Sequence, residues 1–65
     1  MIAEIVLTPD RFALLWLVAR NLKLDHTVNY LPDHHQTRMR LSNGDWHMMF
    51  VTEGKLEEPQ WKLVQ

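Results

Sequence analysis

The chain contains no cysteine. Disulfides and thiolate zinc sites, two usual staples of a short domain, are therefore excluded, as is a cysteine nucleophile. Glycine occurs only at Gly44 and Gly54, so there is no glycine-rich phosphate loop. No GxSxG segment is present. The longest apolar run, Phe12–Ala19, has eight residues, against the roughly 20 needed to span a bilayer. The opening "MIAEIVLTPD" lacks the basic region and small-residue cleavage site of a signal peptide. A formal net charge of −1 gives no bulk attraction to nucleic acid or to acidic membranes. These absences predict a cytoplasmic protein with no membrane partner and no cofactor.

What is present is 65 residues, 46% of them hydrophobic, enough for one small domain over 1–65. A core of this size is marginal unless a metal or a partner subunit supports it.

Residues 2–7, "IAEIVL", are apolar and β-branched and read as a strand with Ala3, Ile5 and Leu7 on one face. Thr8-Pro9-Asp10 is a helix start. Thr8 supplies a cap, Pro9 suits the first helical position, and Asp10 suits the positive end of the dipole. The helix should run from Pro9 to Asn21 or Leu24, with Asn21 as a left-handed terminal residue. Phe12, Leu15, Trp16, Ala19 and Leu22 recur at helical spacing, while Leu14, Leu17 and Val18 widen the stripe. A helix apolar on most sides must be covered on most sides. One small sheet covers one side, so Leu14, Leu17 and Val18 are the expected dimer surface.

Residues 25–31, "DHTVNYL", alternate weakly as a strand, with a short helix capped by Asp25 as the alternative. "LPDHHQ" reads as a turn. Asn43-Gly44 is the dipeptide favoured for a type I′ hairpin loop. That loop pairs Leu41 with Trp46, Arg40 with His47, Met39 with Met48, Arg38 with Met49 and Thr37 with Phe50. "TEGKLEEP" should be a polar connection turning at Gly54, and "QWKLVQ" a final strand carrying Trp61 and Leu63. The expected fold is α+β: one N-terminal helix packed on a three- to four-stranded antiparallel sheet, in β-α-β-β-β order and two layers. Its core should hold Ile5, Leu7, Phe12, Leu15, Trp16, Ala19, Met39, Leu41, Trp46, Met48, Phe50, Trp61 and Leu63.

Candidate chemistry is sparse. His26, His34, His35 and His47 lie near Asp25, Asp33 and Asp45, and a carboxylate beside an imidazole is common around metal ligands. Their spacing fits neither HExxH nor a helical i, i+4 pair, so turn and surface histidines are the favoured reading, with no metal and no catalytic residue assigned. On the predicted hairpin, Arg38, Arg40, His47 and Met49 share the face away from the core. They form the candidate interaction face, because a two-stranded ribbon carrying arginines can enter a nucleic-acid groove.

Three functions follow in order. The first is a non-enzymatic protein–protein interaction or accessory module, homodimeric through its helix. The second is a small nucleic-acid-binding regulator using the basic hairpin face, which the net charge disfavours. The third is a His/Asp metal-binding protein or small hydrolase.

Overall fold

The computed structural model describes residues 4–59. Its elements are β1 (Glu4–Val6), α1 (Pro9–Asn21), β2 (Asp25–Leu31), a 3₁₀ turn (Pro32–His34), β3 (Gln36–Asn43) and β4 (Trp46–Glu53). The four strands form one sheet in the order β1-β4-β3-β2, with α1 packed on one face. The expected two-layer α+β architecture is present. The sheet is mixed rather than purely antiparallel, because β1 runs parallel to β4. Connectivity forces this. The helical crossover sends β2 in the same direction as β1, and two reversals later β4 points that way again. The expected final strand around Trp61 and Leu63 lies outside the described residues.

α1 begins where the cap residues place it. The Thr8 hydroxyl accepts a hydrogen bond from Arg11 N–H at 3.4 Å, and Pro9 opens the first turn. Its end differs from expectation. Lys23, not Asn21, takes the left-handed conformation, with φ +58°. Lys23 N–H donates to Arg20 C=O at 3.2 Å and Leu24 N–H to Ala19 C=O at 3.0 Å. This is a Schellman closure, in which the hydrophobic pair Ala19 and Leu24 meets across the last turn. Asn21 instead bonds back into the helix, donating from its side chain to Leu17 C=O at 2.8 Å.

Phe12, Trp16 and Ala19 present one helical stripe to Met39, Leu41 and Phe50 on the sheet. Phe12 and Trp16 pack edge to face, with ring centroids 6.3 Å apart, a preferred aromatic geometry. Residues 54–59 then fold back over the same face. The Thr37 hydroxyl donates to Gly54 C=O at 2.6 Å and accepts from Leu56 N–H at 3.2 Å. Leu56 packs against the core, and the Lys55 ammonium sits 5.7 Å from the Tyr30 ring centroid. Arg20 of α1 donates to Pro59 C=O at 2.7 Å and pairs with Glu58 at 3.3 Å. The segment therefore flanks α1 on the side that carries Arg20. Among the described residues, no helix is long and apolar enough to cross a membrane.

Candidate functional site

The β3–β4 hairpin turns one position later than the Asn-Gly pair suggests. Asn43 pairs with Trp46, so Gly44 and Asp45 form the loop. Gly44 alone has positive φ, +62°, and Asp45 N–H donates to Asn43 C=O at 2.6 Å. This tight closure around glycine replaces the type I′ turn, which needs positive φ at both loop positions.

Every partner on β4 consequently moves by two residues. Met39 now faces Phe50, Leu41 faces Met48, Arg40 faces Met49, Arg38 faces Val51 and Thr37 faces Thr52. A shift of two preserves the alternation of faces, whereas a shift of one would have inverted it. The expected core face therefore keeps its members but not its contacts. Phe50 takes the central place opposite Met39. Trp46 slides to the hairpin tip, where it is 41% exposed, and Met48 is exposed beside it. Neither is a core residue.

The other sheet face has no layer of described residues over it. Arg38, Arg40, His47 and Met49 all lie on it, as the alternation predicted. The strand β2 adds neighbours that the hairpin alone did not reveal. Thr27 stands opposite Arg40 and Asn29 opposite Arg38. Together with Leu31 and Met49, these four polar side chains line a shallow depression of about 340 Å³. His47 is not part of it. It stands opposite Ser42, towards the tip.

Arg38 has a second task that the sequence did not signal. Its guanidinium crosses β4 to reach Glu4 on β1 at 2.9 Å. Val51 lies between them, paired with Arg38 on one side and Val6 on the other. Val51 itself is buried. The methylenes of a long cationic side chain can shield apolar surface while the charged head stays wet. The Arg38 Nε is itself buried and has no hydrogen-bond partner among the described residues.

On the helix, the three expected dimer residues separate. Leu17 is fully buried. It lies one turn before Arg20, on the flank that carries the contacts to Glu58 and Pro59, and cannot present a surface to a second chain. Leu14 is 47% exposed and Val18 is partly buried. These two line an apolar groove with Leu7, Leu15 and Phe50, and Arg11 is its only charged wall among the described residues. Leu22 continues the same flank and is exposed.

The histidines are dispersed. His26 Nδ1 lies 2.9 Å from Leu24 C=O. His34 and His35 belong to the exposed turn after β2, and His35 takes a left-handed conformation with φ +51°. The described residues hold no group of three His, Cys, Asp or Glu side chains arranged to bind a metal ion. Compared with known proteins, the chain matches no family model, no curated protein and no solved structure.

Proposed function

We propose that this protein is a small non-enzymatic interaction module that pairs with a second copy of itself through the groove beside α1. The observation that carries the reading is the exposure of Leu14 in a groove walled almost entirely by apolar side chains. Contiguous apolar surface on a small domain commonly marks an interaction site. A two-fold pairing uses the same patch on both copies, and a net charge of −1 sets up little repulsion between them. Leu14 and Val18 form the centre of this surface, with Leu22 extending it. Leu17 supports the monomer instead.

Light scattering at micromolar protein tests the idea. The expected mass is that of a dimer, and Leu14→Glu should return a folded monomer with an unchanged far-ultraviolet spectrum. Leu17→Glu should instead unfold the chain. A monomeric mass for the unaltered protein overturns the proposal.

A second reading uses the uncovered sheet face, because Arg38, Arg40 and Met49 stand together there. A nucleic-acid ribbon would need several free cations and, for single strands, rings to stack on. Glu4 engages Arg38, while Tyr30, Trp46 and Phe50 alternate onto the opposite face. The polymer is therefore the weaker partner. Arg38→Glu with Arg40→Glu should abolish any gel shift of labelled DNA or RNA while leaving a helix-mediated dimer intact.

A further inference from the structure

The depression on the uncovered sheet face has more hydrogen-bond donors than partners for them. Arg38 and Arg40 are two residues apart on β3, so their Cα atoms lie roughly 6.5–7 Å apart and their side chains rise on the same face. Arg40 is exposed and has no hydrogen bond or ion pair among the described residues. Arg38 offers one edge to Glu4 and has a buried Nε with no acceptor among the described residues. Asn29 and Thr27 stand directly across on β2 and add a carboxamide and a hydroxyl. No carboxylate among the described residues lines the depression, and Leu31 and Met49 supply its apolar part.

We propose that this depression binds a phosphomonoester dianion, held between Arg40 and Arg38 with Asn29 and Thr27 donating to its remaining oxygens. Two guanidinium groups match the two charges of such a group, and its three terminal oxygens use more donors than a carboxylate would. The volume of about 340 Å³ suits a small molecule. Leu31 and Met49 would contact the organic part of the ester. A polynucleotide backbone fits less well, since each diester carries one charge and the described residues of this face offer no stacking ring.

The Glu4–Arg38 pair makes the proposal directional. Both side chains are partly exposed, so the pair contributes little. The unpartnered Nε adds a cost to the present position of Arg38. An incoming dianion competes with Glu4 for the same guanidinium, and Arg38 exchanges one acceptor for the other. Removing the Glu4 charge should therefore tighten binding.

The test is a nuclear magnetic resonance titration at low salt with three probes: phenyl phosphate, inorganic phosphate, and an oligothymidylate lacking terminal phosphates. Phenyl phosphate should saturate shifts at the Asn29 carboxamide and at the Arg38 and Arg40 Nε–H signals. Arg40→Gln should weaken binding at least roughly tenfold, as expected for loss of a charge-assisted hydrogen bond. Glu4→Gln should strengthen it by up to roughly fivefold. Tighter binding of phenyl phosphate than of inorganic phosphate assigns the site to esters, and equal binding assigns it to the free ion. Either result supports a phosphoryl site. Three results overturn it: no saturable shift at concentrations of about 10 mM, which corresponds to negligible affinity; binding of the oligonucleotide without the monoester; or weaker binding in Glu4→Gln.

Discussion

Thr37 and Thr52 face each other across β3 and β4, both buried, yet their hydroxyls have opposite circumstances. Thr37 Oγ1 donates to Gly54 C=O and accepts from Leu56 N–H. Thr52 Oγ1 is buried and has no partner among the described residues. Replacing each by valine keeps the shape and the β-branching, so strand propensity nearly cancels. Only the hydroxyl is at stake. Thr37→Val strands a backbone carbonyl and a backbone N–H in the turn after β4. At about 1–3 kcal/mol for each group left unpaired, less part of that recovered by water, the loss should be about 2–3 kcal/mol. Thr52→Val removes a buried polar atom that had already lost its hydration, and should be neutral or stabilise by about 1 kcal/mol.

A chain of this length has a total stability of roughly 3–10 kcal/mol, so the first change is large and the second visible. For a domain near this size, 1 kcal/mol moves Tm by about 4–8 °C. Thermal unfolding followed by circular dichroism should place Thr37→Val roughly 10–20 °C below the parent and Thr52→Val at or a few degrees above it. Native-state amide exchange should also show Leu56 exposed early in Thr37→Val, since that N–H loses its acceptor. Equal and similar losses in both variants would refute the reasoning. It would mean that residues 54–59 are not held through Thr37, or that Thr52 has an acceptor of its own.

Arg20→Ala should destabilise the chain through the same return segment, because its guanidinium holds Pro59 C=O and Glu58. Combined with Thr37→Val, the double variant should lose at least about 0.5 kcal/mol less than the sum of the two, as denaturant unfolding would show, since the second change acts on a segment already released. Lys23→Gly should stabilise by about 0.5–1 kcal/mol, because φ +58° is strained for lysine and costless for glycine. A midpoint that falls in urea would show that the lysine side chain makes a compensating contact.

The parts of the fold that were legible in the sequence are those with local causes. Thr8-Pro9-Asp10 placed the helix start through caps and dipole, and alternation sorted the hairpin residues onto faces. What escaped depends on choices between near-equal local options. Asn43-Gly44 and Gly44-Asp45 each satisfy a two-residue loop with a glycine, and side-chain patterning does not separate them, because both registers put Met39 and Phe50 on the same face. Alternation places Trp46 on the core face in either register, and only the pairing with Asn43 sets it at the tip. The α1 terminus escaped similarly, because lysine does not advertise a left-handed conformation and the closure is set by the burial of Leu24 against Ala19. The candidate site was half legible. Arg38, Arg40 and Met49 were on the right face, but Thr27 and Asn29 joined them only through the β2–β3 register, which rests on the four-residue connection Pro32–His35.

The helix shows how an excess of apolar surface divides between folding and association. Leu14, Leu17 and Val18 look equivalent by composition, and each exceeds what one sheet can cover. Their positions around the helix differ. Leu17 lies on the flank that carries Arg20 and is fully buried within the chain. Leu14 and Val18 lie on the flank towards Leu7 and Phe50, where Leu14 stays exposed. The uncovered flank is where a second copy gains most. The contrast between Leu14→Glu and Leu17→Glu therefore separates association from folding with two residues three positions apart on one helix.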